Sequence, residues 1–191
     1  MFTDIDLYSP DFHIDCSTIS NPSKVYKIFR DNGIKKAYVY AMGYRSSPFQ
    51  FDFLKVGLSN PALTPARKSQ VGERVVRQLA WVPGWRTSVT SANGFDFWNG
   101  VQLLIADGII NKNFNKDLLT VGVWDISKRM PKLKVFINST SEPVEWAEGE
   151  LSHQYERRFG WRPRLNERNP ANCLSHKQGY VNIEMFATNF V

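Results

Sequence analysis

The chain contains little of what marks disulfide-rich, zinc-binding or membrane-spanning proteins. Its two cysteines, Cys16 and Cys173, are far apart and form no CxxC pair, so we expect free thiols and neither a disulfide framework nor a zinc site. No apolar run approaches the roughly 18 residues that a transmembrane helix needs. The N-terminal stretch is acidic, unlike a signal peptide. We therefore expect a cytoplasmic protein without a membrane partner.

The chain does contain enough apolar residues for one core and an excess of positive charge. Of its 191 residues, 42% are hydrophobic, which indicates a single domain spanning residues 1–191. Lys and Arg outnumber Asp and Glu by 24 to 18, giving a net charge of +6. The string "YERRFGWRPRLNER" mixes arginines with aromatic residues, a pattern that suits a polyanion with stackable bases. A solvated basic face would give the same charge pattern.

Hydrophobic periodicity predicts an α/β (α+β) fold with a small central antiparallel β-sheet flanked by helices. Strands of a hairpin are predicted at residues 37–42 and 51–58, a third strand at 118–127, and further strands at 133–138 and 179–191. Helices are predicted at residues 20–33, 69–81, 95–109 and 143–159, the last one capped by Thr140 or Ser141.

Polar residues on these elements point to phosphodiester chemistry. Arg74 and Gln78 are four residues apart on one helix, beside its buried stripe, so we expect them to be partly buried. Glu148 lies at the edge of the buried face of the last helix. A carboxylate for a cation, an arginine for phosphate charge and a tyrosine-rich hairpin would together suit metal-assisted cleavage. Taken singly, each has an ordinary alternative, such as a surface Arg–Glu pair or tyrosines that pack a sheet.

Five short motifs occur in the order found in the GIY-YIG nuclease family, which this chain resembles. They are Tyr38–Tyr40, Lys55–Gly57, Arg74–Gln78, Glu148–Leu151 and Pro163–Asn166. The first two stand where the family has Gly-Ile-Tyr and Tyr-Ile-Gly. Some restriction endonucleases of the family similarly have lysine at the second motif. The resemblance covers a core of about residues 35–166, with insertions.

The resemblance implies a Mg²⁺-dependent DNA endonuclease, with Mn²⁺ as an alternative ion. Tyr40 and Lys55 would face each other across the hairpin, and a nearby ammonium would favour the phenolate form of Tyr40. Either residue could then take the proton from water. Arg74 would stabilise the pentavalent transition state, and Glu148 would be the metal ligand.

Two more family positions have narrower implied roles. Asn166 would position Glu148 or the phosphate. Gln78 stands where the family has histidine and can only form hydrogen bonds.

Double-stranded DNA is the partner that the resemblance implies, with a homodimer for cutting both strands. Sequence reading is expected from an insertion at about residues 84–140, as in a restriction-type, phage or mobile-element nuclease that cuts or nicks. The alternative is a non-catalytic nucleic-acid-binding protein on a degenerate scaffold. The predicted DNA-contacting residues are Arg77, Lys128, Arg129, Arg157, Arg158, Arg162 and Arg164.

Overall fold

The chain folds around one four-stranded antiparallel sheet. The structure, a computed structural model, describes residues 10–35, 37–47, 50–59, 70–85, 92–129 and 143–166. The strands are β1 (Phe12–Asp15), β2 (Tyr38–Ser47), β3 (Gln50–Ser59) and β4 (Leu119–Asp125), in the spatial order β1-β4-β2-β3. The helices are α1 (Lys24–Asp31), α2 (Glu73–Leu79), α3 (Ala92–Ala106), α4 (126–129) and α5 (Pro143–Phe159). The predicted α+β class is confirmed.

The β2–β3 hairpin is confirmed, and its strands are longer than predicted. Tyr40 pairs with Gly57 and Met42 pairs with Lys55. Beyond Met42 the register shifts, because the next pair is Gly43 with Phe53 and the intervening residue of β3 has no partner on β2. Such a bulge bends the strand and lets neighbouring side chains share a face.

Helices cover both faces of this hairpin. On one face, Tyr38, Tyr40 and Met42 belong to a core cluster that includes buried residues of α1, α2 and α3. On the other face, Val39 and Val56 belong to a second cluster with α5. The period-two alternation of a strand explains this division.

The ends of the shorter helices follow local turn chemistry. Asn21 accepts a hydrogen bond from the backbone N–H of Ser23, which makes a turn before α1. Gly33 ends this segment with φ of 70°, and Gly72 starts α2 with φ of 94°. Both values lie in the left-handed region that glycine adopts most readily.

Several expectations change or lie outside the described residues. The fourth strand is β1, which the sequence did not predict; it pairs with β4. The strands predicted at residues 133–138 and 179–191, and the cap at 140–141, lie outside the described residues. Strand β4 lies within the predicted DNA-reading insertion at residues 84–140. It pairs with β2 in the sheet and is mostly buried, so this part of the predicted insertion belongs to the core. In the described ranges, no helix has the length and apolar character needed to cross a bilayer.

Candidate active site at the edge of strand β3

Tyr40 and Gly57 are the centre of the candidate site. The Tyr40 side chain is only 2% exposed, and its ring crosses the backbone of β3 at Gly57. A Cβ atom on Gly57 would lie 2.5 Å from the Tyr40 hydroxyl oxygen, which is closer than Cβ atoms in real structures approach a non-bonded heavy atom. Gly57 is therefore required for the ring to lie where it does, with its hydroxyl over the outermost strand of the sheet.

Lys55 lies on the same face of the hairpin as Tyr40 but not opposite it. The register pairs Lys55 with Met42 and places Gly57 opposite Tyr40, so the two functional side chains are diagonal neighbours. The expectation that they face each other directly is wrong, because Lys55 lies two positions along the register from the residue opposite Tyr40. Lys55 is half-buried, and its charge acts on Glu148.

Glu148 approaches this edge of the sheet from the opposite face. Helix α5 packs on β3 through a buried stripe that includes Val144 and Leu151, and Glu148 lies between them at helical spacing. Burial raises the pKa of the Glu148 carboxyl from 4.5 to about 7. The charges of Lys55 and Arg74 oppose this rise in pKa. The site thus contains a carboxylate that is costly to ionise without a nearby cation.

Helix α2 contributes Arg74 and Gln78 from the tyrosine face. Arg74 is exposed, which corrects the expectation of a partly buried arginine. Its charge nevertheless acts on both Tyr40 and Glu148. Gln78 is 4% exposed and hydrogen-bonds the Tyr40 hydroxyl, while its side-chain Oε1 has no hydrogen-bond partner. An unpaired buried acceptor is costly, so this oxygen is suited to a water or ligand donor.

The environment of Tyr40 disfavours its phenolate. Burial raises the pKa of the Tyr40 hydroxyl above its usual range, and the charges of Tyr38 and Glu148 add to this effect. Arg74 and the hydrogen bond with Gln78 only partly offset it. The expectation that a neighbouring ammonium holds Tyr40 as phenolate is therefore wrong, because burial outweighs every nearby positive charge.

Asn166 binds the outer edge of β3. Its side-chain Nδ2 donates to the Val56 carbonyl at 2.8 Å, and its Oδ1 accepts from the Val56 N–H at 2.7 Å. The backbone N–H of Leu165 donates to the carbonyl of Leu54 at 2.7 Å. Asn166 thus holds the strand that carries Lys55 and Gly57. The described hydrogen bonds of its side chain go to this strand and not to Glu148.

Most of the predicted DNA-contacting residues form ion pairs with acidic side chains of the protein. Arg129 bonds to Asp11 at 2.9 Å, and Lys128 lies 3.5 Å from Asp125, at the end of β4. Arg77 is paired with Glu73 along α2. The remaining two such pairs are Arg157 with Glu150 and Arg162 with Glu156.

Arg158 and Arg164 are exposed, and the guanidinium of Arg164 lies over the Trp161 ring, 4.9 Å from its centroid. Trp161 was not predicted as a functional residue. Its signal was present in the alternation of aromatic residues and arginines in the basic string.

Comparison with protein-family models, curated proteins and solved structures finds no match to this chain. The motif resemblance therefore depends on the chain's own residues. Those residues do converge. Tyr40 lies on β2, Arg74 on α2 and Glu148 on α5, yet the charges of these three act on one another, and the charge of Lys55 on β3 acts on Glu148. Among the described residues, no three His, Cys, Asp or Glu side chains form a metal cluster.

Proposed function

We propose that the protein is a Mg²⁺-dependent DNA endonuclease of the GIY-YIG type. The single observation that carries the proposal is the convergence of Tyr40, Arg74 and Glu148 at one edge of the sheet, although they come from different elements and both faces. Their order along the chain matches the family motifs. A half-buried carboxylate, an exposed arginine and a half-buried lysine are groups that suit phosphodiester hydrolysis.

The donor set fits a magnesium ion. Mg²⁺ usually keeps several waters and is bound through one or two carboxylates plus substrate phosphate oxygens. Glu148 would hold it, since its raised pKa indicates a carboxylate that gains from a nearby positive charge. Bound there, the ion would supply positive charge that activates water and stabilises the developing phosphate charge. Mn²⁺ would suit the same oxygen ligand.

The protein's own groups would divide the remaining work. Arg74 is exposed, so its guanidinium can reach the phosphate and neutralise charge in the transition state. Tyr40 stays neutral and acts as a fixed hydrogen-bonding group, held by Gln78. We assign the proton acceptor to Lys55, because it is half-buried on the same face of the hairpin as Tyr40, whose own ionisation is disfavoured by burial.

A second candidate function is non-catalytic nucleic-acid binding on the same scaffold. The observation in its favour is the neutral, buried Tyr40 together with Gln78 in place of histidine. Glu148 argues against it, because a binding protein has no use for a carboxylate beside a phosphate. Restriction-type biology, nicking and dimerisation on DNA belong to the nuclease proposal as its finer features.

Supercoiled plasmid and phage DNAs incubated with the protein and Mg²⁺ test the proposal. We expect cleavage by the wild type, none by Glu148→Gln, and near-normal cleavage by the control Glu145→Gln on the same helix. Glu148→Gln should retain DNA binding, because this substitution also removes a negative charge that repels phosphate. Wild-type cleavage by Glu148→Gln would remove this site from consideration, and DNA binding without any cleavage would favour the second candidate.

A further inference from the structure

An exposed tryptophan lies in a fixed position beside the candidate active site. Trp161 is 43% exposed, although its indole N–H donates a hydrogen bond to the Tyr155 hydroxyl. Arg164 covers the ring at 4.9 Å. Tryptophan is enriched at interfaces, where its ring can be apolar on one side and wet on the other.

A continuous series of rings supports this tryptophan from the core. Phe53 of β3 stacks on Tyr155 with centroids 5.2 Å apart and an interplanar angle of 7°. Tyr155 contacts Phe159 at 4.6 Å, and Phe159 contacts Trp161 at 6.3 Å. Trp161 is thus the outer end of a packed aromatic column, so its orientation is set before any ligand arrives.

The same segment is fastened to the edge of β3. Leu165 bonds to Leu54 through its backbone, and Asn166 bonds to Val56 on either side of Lys55. Leu165 also packs so closely on Gly100 that a Cβ there would lie 2.6 Å from its side chain.

Charge at this surface favours an anionic ligand. Residues 156–166 include four arginines and one glutamate. Arg158 and Arg164 are exposed, whereas Arg162 is paired with Glu156. Asp52 lies close enough that its negative charge acts on Tyr155 in the opposite sense to that of Arg164. An aromatic face beside an arginine suits a base together with its phosphate.

We propose that Trp161 and Arg164 form a stacking platform for an unpaired nucleobase of the DNA strand cut at the neighbouring site. In a paired duplex the base faces are already stacked, so only a single-stranded or extruded nucleotide can cover the indole. The preferred substrate is then DNA with an unpaired nucleotide close to the scissile phosphate. This inference rests on the proposed nuclease function for its link to cleavage, but not for the binding itself.

Binding without cleavage tests the platform directly. The probes are a labelled oligothymidylate of about 12 nucleotides and a fully paired duplex of equal length, both in chelator, measured by fluorescence anisotropy. We expect Trp161→Leu to weaken binding of the single strand about 10-fold or more, with little change for the duplex. Trp81→Leu is the matched control, since Trp81 is also 43% exposed. Trp161→Phe should restore part of the affinity because it retains an aromatic face.

A second pair of variants separates stacking from charge. Arg164→Gln and Arg158→Gln remove the same charge from exposed positions, so a larger loss for Arg164→Gln supports the platform. Equal losses of single-strand affinity for Arg164→Gln and Arg158→Gln would overturn the platform. Single-strand binding by Trp161→Leu at wild-type strength would overturn it too, and the exposed indole would then be left for a contact with another protein. If the wild type binds the single strand through Trp161 but never cleaves in Mg²⁺, the platform stands and the nuclease proposal fails. If the wild type cleaves in Mg²⁺ but Trp161→Leu leaves single-strand binding unchanged, the nuclease proposal stands and the platform fails.

Discussion

Replacing Glu148 by glutamine should stabilise the protein while it removes cleavage. In the absence of divalent cations, the folded protein must bear an ionised carboxylate in a site where burial raises its pKa from 4.5 to about 7. That gap corresponds to about 3 kcal/mol of free energy that opposes folding once the pH is well above 7. Glutamine has nearly the same shape and no charge, so Glu148→Gln avoids the penalty.

The sign of the pH dependence follows from linkage. The folded protein holds the Glu148 proton more tightly than the unfolded chain does, so this group favours folding at low pH. Its contribution is lost as the pH rises from about 4.5 through about 7. The advantage of Glu148→Gln should therefore be about 2–3 kcal/mol at pH 8.5 and below about 1 kcal/mol at pH 5.

Urea unfolding in chelator at these two pH values measures the effect. Glu145→Gln, one turn earlier on α5, is the comparison: because the Glu145 charge adds to the rise in the pKa of Glu148, this variant should reduce the fall in stability between pH 5 and pH 8.5 without abolishing it. Addition of Mg²⁺ or Mn²⁺ at pH 8.5 should stabilise the wild type more than Glu148→Gln, because a bound ligand stabilises only the form that binds it. An equal effect of Glu148→Gln at both pH values, or destabilisation at pH 8.5, would refute the reasoning.

Two further predictions concern the hairpin. If Lys55 takes the proton, Lys55→Met should lose at least about 100-fold in cleavage rate at every pH, whereas Tyr40→Phe should retain part of the rate with an unchanged pH profile. If instead Lys55→Met recovers its cleavage rate at high pH and Tyr40→Phe is inactive at every pH, Tyr40 is the base. Gly57→Ala should cost about 1–3 kcal/mol of stability and most of the cleavage, because its Cβ would meet the buried Tyr40 ring. In a Tyr40→Leu background the stability cost of Gly57→Ala should largely disappear, and a cost that stays the same would show that the ring is not the cause.

The fold was largely predictable where the hydrophobic period was long and unbroken. The stripe of Val144, Ala147, Leu151 and Tyr155 predicted α5, and all four residues are buried. β1 was missed because it has four residues, of which only Ile14 is fully buried, so it lacks a readable alternation. Its place in the sheet depends on pairing with β4, a contact between residues more than 100 positions apart. Such pairing has no local signal in the sequence.

The structure brings several of the predicted site residues together, but their environments were not predictable from the sequence. Motif order pointed to Tyr40, Arg74 and Glu148, whose charges do act on one another. Spacing along a helix placed Arg74 at the edge of a buried stripe, yet no spacing rule states whether a long side chain extends into solvent. The burial of Tyr40 likewise depends on α1 to α3 covering the hairpin. Burial is a tertiary property, and it reversed the expected direction of the Tyr40 pKa.

The residues that cover the exposed edge of β3 also help to position the candidate site. An edge strand presents unpaired backbone groups, and proteins commonly cover such groups. Here Leu165 and Asn166 pair with the strand at Leu54 and Val56. Side chains alternate along the strand, so this cover leaves Lys55 and the glycine gap at Gly57 on the tyrosine face. Leu165 and Asn166 closely follow Trp161 in the chain. Their pairing with β3 therefore links the position of the exposed indole to the position of Lys55.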